Sequence, residues 1–170
     1  MKNCLIIASP RSGSTNLMKS ISSAYNIPYC FEKIPPKNIY ITKLMAYTKS
    51  AKFWIEYCNK WDKVILLGRK NNLEAAQSLS VLRNKKVKIV NEKWHFRDFT
   101  GVSFDKAHQD IIDSIKILNE CSSTLSIPID WYEDVYLNRT LSDPSIKLDS
   151  IFLDSKHKLR QLDSNLKYFI

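Results

Sequence analysis

The chain has 170 residues, of which 44% are hydrophobic and 25% charged, and its formal net charge is +9. This length and composition predict one globular domain over residues 1–170 with a buried core, and they exclude a low-complexity chain. The positive net charge favours an anionic partner, such as nucleic acid, an acidic glycan, a membrane surface or a polyphosphorylated cofactor. The charge alone does not distinguish among these partners.

The first predicted element is the apolar run Cys4-Leu5-Ile6-Ile7-Ala8, which is typical of a buried parallel strand. It is too short for a signal peptide, and no segment is long enough to span a membrane. A small, hydroxyl-rich turn follows at residues 9–15. A helix is predicted directly behind the turn, because apolar residues recur at helical spacing up to Tyr25, and Pro28 ends it.

The remaining elements alternate between strand and helix. They are a strand at 38–44, a helix capped by Ser50, a strand at 64–67 that ends at Gly68-Arg69, a helix at 73–83, a helix at 105–120 and a strand at 125–129. Residues 84–103 show no clear pattern, and the tail from residue 154 is mostly polar and basic. This alternation predicts an α/β domain of three layers, with a mostly parallel central sheet flanked by helices.

The four cysteines are scattered, without a Cys-x-x-Cys pair or a His at zinc-site spacing. We therefore expect buried free thiols, a reducing, cytoplasmic compartment and no metal.

The turn after the first strand predicts an anion pocket. Unpaired backbone N–H groups and the positive end of the dipole meet at a helix start. Gly13 permits a tight turn, and Arg11 offers a donor fork suited to phosphate or sulfate. Further hydroxyl donors come from Ser12, Ser14 and Thr15.

Two known phosphate loops fit this turn poorly. The loop of kinases and GTPases needs an earlier Gly and a Lys, and both are missing here. The tyrosine-phosphatase loop needs five residues between its Cys and Arg, whereas six separate Cys4 from Arg11, and Cys4 lies inside the strand.

Residues 10–15 instead resemble, position by position, the 5′-phosphosulfate loop of sulfotransferases, Pro-Lys/Arg-Ser-Gly-Ser/Thr-Thr. A second segment is similar to the 3′-phosphate element of that family: Arg69 ends a strand, and Ser78 follows nine residues later on a helix. The nine-residue spacing and Ala-Ala-Gln-Ser-Leu look closest to the bacterial trehalose-sulfotransferase-like branch. The resemblance implies a P-loop-like fold, the donor adenosine 3′-phosphate 5′-phosphosulfate (PAPS) and its product adenosine 3′,5′-bisphosphate (PAP).

The same resemblance implies two further donor contacts. Tyr132, in Trp-Tyr-Glu-Asp-Val, stands where many sulfotransferases carry a Tyr near the adenine. Arg160 lies in a basic Arg-Gln segment that folds back over the cofactor in related bacterial enzymes. The alternatives are a Tyr that serves only the core and a basic tail that serves only solubility.

The resemblance also implies catalytic roles. Arg11 would stabilise charge on the moving sulfuryl group, and Lys43 would add a cation near the bridging oxygen. Glu32 follows an aromatic segment, at the place where the trehalose-type branch has its base, and apolar neighbours would raise its pKa. The alternative for Glu32 is a surface carboxylate that pairs with Lys33. His95 is the other candidate base, and its competing role is a packed or substrate-wall residue.

The resemblance therefore implies a PAPS-dependent sulfotransferase that modifies a hydroxyl or amine of a small-molecule or glycan acceptor, without metal or nucleic acid. Two other classes stay open. One is a P-loop nucleotide kinase or NTPase; the other is a basic nucleic-acid-binding module, which the stretch Lys93-Trp94-His95-Phe96-Arg97 permits. The acceptor and the oligomeric state cannot be predicted.

Overall fold

The computed structural model describes residues 1–31, 40–90, 93–98 and 104–153, with the backbone alone at residues 31, 81–90 and 93–98. Five parallel strands form the central sheet in the order β2-β3-β1-β4-β7. The strands are β1 (Cys4–Ala8), β2 (Tyr29–Phe31), β3 (Ile41–Met45), β4 (Lys63–Gly68) and β7 (Ile129–Trp131).

Helices cover both faces of this sheet. Helices α1 (Ser14–Tyr25) and α5 (Tyr132–Asn138) pack on one face, and α2 (Ala51–Cys58) and α4 (Phe104–Leu125) pack on the other. The central strand β1 is completely buried, and its alternate residues enter the two opposite cores. The predicted three-layer α/β arrangement is confirmed.

Two elements lie beside the sheet. Helix α3 (Asn72–Asn84) packs on α4 through small residues, with Ala75, Ala76 and Ala107 all fully buried. Strands β5 (Lys85–Val90) and β6 (Lys93–Asp98) form a separate antiparallel hairpin, in which Lys88 pairs with His95. This hairpin occupies the stretch for which the sequence showed no clear pattern.

Several predicted boundaries need correction. The strand predicted at 125–129 was placed too early, because Leu125 still belongs to α4 and β7 begins at Ile129. The helix ends there because Ser126 adopts a left-handed backbone conformation with φ of 55°. The short edge strand β2 was not predicted at all. Ser50 does cap α2, accepting a hydrogen bond from the backbone N–H of Phe53 at 3.3 Å.

All four cysteines are free thiols, and Cys4, Cys58 and Cys121 are buried. Burial raises the pKa of the Cys4 thiol to about 12, so this side chain is protonated at neutral pH and is no nucleophile. None of the described helices combines the length and the apolar character that a membrane span requires.

The carboxyl ends of the strands form the edge where a ligand is expected in such a fold. The chain leaves β1 toward α1 on one face, and it leaves the neighbouring strand β3 toward α2 on the other. A crevice opens between adjacent strands whose connections diverge in this way. Residues 9–13 and Arg69 both lie at this edge, directly after β1 and β4.

Candidate anion-binding site

The turn between β1 and α1 is built around Gly13. Its φ of 77° is left-handed, and it is the N-cap residue of α1. A Cβ at this position would lie 2.9 Å from ring carbons of Tyr132 and Tyr136, so two aromatic rings hold the backbone closely from below. The Tyr136 hydroxyl donates a 2.8 Å hydrogen bond to the Gly13 carbonyl, and burial raises its pKa, which keeps it a donor.

The start of α1 keeps its positive potential. No side chain caps the helix, and its first turn contains no acidic residue. The first N–H groups of the twelve-residue helix are therefore not neutralised by a carboxylate of their own turn. Ser14 is buried and Thr15 half-buried in that turn.

Arg11 takes a strained conformation that is held in place from outside the turn. Its φ of 61° lies in the left-handed region, which a side chain with a Cβ disfavours by about 1–3 kcal/mol. Arg69 donates from Nη1 to the Arg11 carbonyl at 3.1 Å, and Arg11 donates from Nε to the Ser78 hydroxyl at 2.8 Å. The structure thus joins Arg11, Arg69 and Ser78, which come from two separate sequence motifs.

Arg69 is a buried cation at this edge, with only 6% of the residue exposed. Its Nη2 forms a 2.8 Å ion pair with Oε1 of Glu74, and its guanidinium carbon lies 5.1 Å from the centre of the Tyr132 ring. Oε1 of Glu133 is 3.9 Å from its Nε, which is an ion pair by charge but too long for a hydrogen bond. The loop before α1, helix α3 and helix α5 therefore all contact the guanidinium of Arg69.

Buried polar atoms without a hydrogen-bond partner collect at this edge. Among the described residues five such side-chain atoms occur, and four follow β1 or β4: the Ser9 and Ser12 hydroxyls, Arg69 Nε and Asn72 Oδ1. Ser9 and Ser12 are themselves fully buried. Three of the four atoms are donors, the Ser9 and Ser12 hydroxyls and Arg69 Nε, whereas Asn72 Oδ1 is an acceptor. An unpaired buried donor costs about 1–3 kcal/mol, so three together indicate a place whose hydrogen bonds are completed by water or by a bound ligand.

Lys43 lies deeper in the fold than predicted. It pairs with Ile6 across β3 and β1, two residues before the end of β3, and it is 3% exposed. Lys43 stands two residues after Ile41 in the strand, so both side chains leave the sheet on the same face. Ile41 packs in the core beneath α1, and Lys43 therefore lies on the α1 face.

Tyr132 is packed beneath the loop. Only 4% of the residue is exposed, and its ring lies 4.6 Å from the Tyr136 ring. Its contact with an adenine stays a prediction. In the structure the Tyr132 ring also lies against the guanidinium of Arg69.

Three predicted residues are not placed in this site. Glu32 and Arg160 lie outside the described residues. His95 belongs to strand β6 of the separate hairpin, where the backbone alone is described.

Sequence reasoning missed Glu74, Glu133 and Tyr136 as members of this edge. The Glu133 carboxylate accepts from the backbone N–H groups of Lys70 and Asn71 at 3.0 and 3.2 Å. A signal for Glu74 was present, because it stands one helical turn before Ser78 and so shares its face of α3.

Two clefts lie elsewhere on the molecule. One of about 730 Å³ lies between the end of α1 and the start of β2, next to Lys19 and Tyr29. Another of about 200 Å³ lies beside β7 and α5, next to Asp130. In the part of the chain that the structure describes, no group of three or more His, Cys, Asp or Glu residues is arranged to hold a metal ion.

Comparison with known proteins adds no family to these observations, since the chain matches no protein-family model and no curated protein.

Proposed function

We propose that this protein is a PAPS-dependent sulfotransferase, which transfers a sulfuryl group to a hydroxyl or amine of a small-molecule or glycan acceptor. The observation that carries the proposal is the group of unpaired, buried polar atoms at the carboxyl edge. They lie on, or directly before, the two segments that resemble the phosphate-binding elements of that family. The hydrogen bond from Arg11 to Ser78 supports it, because it brings the two segments within reach of one ligand.

The residues present suit a donor with two separate anionic groups. The uncapped start of α1, with the buried hydroxyls of Ser9 and Ser12, offers donors for a 5′-phosphosulfate. Arg69, with a buried Nε that has no hydrogen-bond partner, offers a charged donor for a 3′-phosphate. A nucleoside triphosphate would use the first of these places and leave the second without a ligand.

In the proposed reaction the acceptor oxygen or nitrogen attacks sulfur, and its bond to sulfur forms as the bridging S–O bond breaks. The bisphosphate product leaves with the electron pair, and a base takes the acceptor's proton. Positioning and charge stabilisation supply most of the rate, and Arg11 and the N–H groups at the start of α1 stabilise the charge on the equatorial oxygens. Glu32 is the base in this proposal, His95 is the alternative, and Lys43 supplies a cation on the α1 face.

Thermal unfolding with different ligands tests the proposal. PAP at about 100 times its Kd should stabilise the protein by about 2.7 kcal/mol, which raises Tm by about 5–10 °C for a chain of this size. ATP, GTP and a short oligonucleotide at the same concentration are the comparisons. Stabilisation by ATP or by the oligonucleotide, without stabilisation by PAP, would overturn the proposal in favour of a kinase or a nucleic-acid-binding module.

A further inference from the structure

Helix α3 presents two side chains to the two arginines of the candidate site. Glu74 and Ser78 stand four residues apart on one face of the helix. Ser78 accepts from Arg11 at 2.8 Å, and Glu74 pairs with Arg69 at 2.8 Å. An anion that binds between the arginines therefore meets a carboxylate that already neutralises one of them.

The two carboxylates near Arg69 differ in how firmly they are held. Glu133 accepts hydrogen bonds from two backbone N–H groups and its side chain is 28% exposed, so it belongs to the packing of the β4–α3 turn. The Glu74 side chain is 46% exposed, and its carboxylate accepts from the Asn71 side chain at 3.2 Å. A half-exposed carboxylate regains water when it leaves its partner, so releasing Glu74 costs less than releasing Glu133.

We propose that Glu74 sets the specificity of the site by competing, as an internal anion, with the ligand's 3′-phosphate for Arg69. In the unliganded protein its carboxylate neutralises the buried guanidinium, and a 3′-phosphate displaces it. Glu74 thereby weakens binding of every ligand that uses Arg69, and it leaves ligands that bind only at the α1 loop unaffected. This inference rests on the proposed function, since it takes Arg69 as the 3′-phosphate position.

The test compares two ligands on matched variants by isothermal titration calorimetry of the full chain. The ligands are PAP, which carries a 3′-phosphate, and adenosine 5′-monophosphate, which does not. Glu74→Gln keeps the size of the side chain and its oxygen acceptor for Asn71, and it removes the charge. The control Asp134→Asn removes an equal charge nearby, from a carboxylate that pairs with Lys70 at 2.8 Å.

We expect Glu74→Gln to bind PAP about three- to tenfold more tightly than the wild type, with unchanged affinity for the monophosphate. Asp134→Asn should change neither affinity by more than about twofold. If Glu74→Gln binds PAP more weakly or equally, the carboxylate positions Arg69 instead of competing, and the inference is wrong. If Glu74→Gln binds both ligands more tightly by the same factor, or if both variants bind PAP more tightly by the same factor, the effect is one of general charge. Either outcome would also overturn the inference.

The outcomes separate this inference from the proposed function. A wild-type protein that binds no PAP refutes both, whereas a wild type that binds PAP without a gain in Glu74→Gln refutes the competition alone. If Glu74→Gln does not fold, Glu74→Asp takes its place. It keeps the charge but is one methylene shorter, so it should also bind PAP more tightly, by a smaller factor.

Discussion

The two halves of the candidate site hold their positive charge in different surroundings. The loop before α1 presents backbone N–H groups and buried hydroxyls, with no acidic residue in the first helical turn. Arg69, by contrast, lies between the carboxylates of Glu74 and Glu133. Both halves contain buried donors without a hydrogen-bond partner, but only the charge of Arg69 is balanced by carboxylates of the protein. We therefore expect loop geometry to govern binding in the first half and charge competition to govern it in the second.

The largest expected effect tests the geometry of the loop. In Gly13→Ala the new Cβ would lie 2.9 Å from two tyrosine rings, at a φ that alanine disfavours. We expect a loss of about 2–5 kcal/mol in the free energy of unfolding and loss of PAP binding, measured by urea unfolding and calorimetry.

Gly68→Ala is the matched control at the other half of the site. There a Cβ would lie 2.6 Å from the half-buried Trp131 ring, without a left-handed φ. This variant should lose less stability than Gly13→Ala. An equal loss in both would mean that crowding alone, and not the backbone conformation of the loop, makes glycine necessary at residue 13.

Arg69→Ala tests the charged half, with the next largest effect. The variant removes the donor to the Arg11 carbonyl and the partner of Glu74, and we expect PAP binding to weaken by about 1.5–3 kcal/mol. Calorimetry with PAP and adenosine 5′-monophosphate measures it, and the monophosphate should lose less. Arg69→Lys keeps the charge but not the planar fork, so it should fall between wild type and Arg69→Ala. If affinity for both ligands falls equally, Arg69 only stabilises the conformation of the loop and does not bind the 3′-phosphate.

The smallest effect concerns the support beneath the loop. Tyr136→Phe removes the hydroxyl that donates to the Gly13 carbonyl, and it should cost about 1 kcal/mol of stability and weaken PAP binding severalfold. Tyr25→Phe is the control, because the Tyr25 hydroxyl also makes hydrogen bonds, to Ser145 and Lys147, but on another part of the molecule. It should lower Tm with unchanged affinity for PAP. Equal affinity losses in the two variants would contradict a local role for Tyr136.

The sequence determined the local elements of this site because their signals are local. A short apolar run, a glycine in a hydroxyl-rich turn and a helical apolar repeat are enough to predict β1, its loop and α1. The strand and helix around Arg69 were predicted in the same way. Strand β2 escaped prediction because three residues are too few to show a period, and the start of β7 was misplaced because Leu125 fits both a helical and an alternating pattern.

The tertiary structure alone decided which side chains meet. The strand order places β1 beside β4, and this brings Arg69 onto a carbonyl 58 residues away in the chain. It also buried Tyr132 beneath Gly13, which no spacing in the sequence indicates. The helical spacing places Glu74 on the face of Ser78, but only the fold sets its carboxylate against Arg69. Hydrogen bonds within a turn or helix depend on near neighbours, whereas burial and ion pairing at a sheet edge depend on which strands the whole fold makes adjacent.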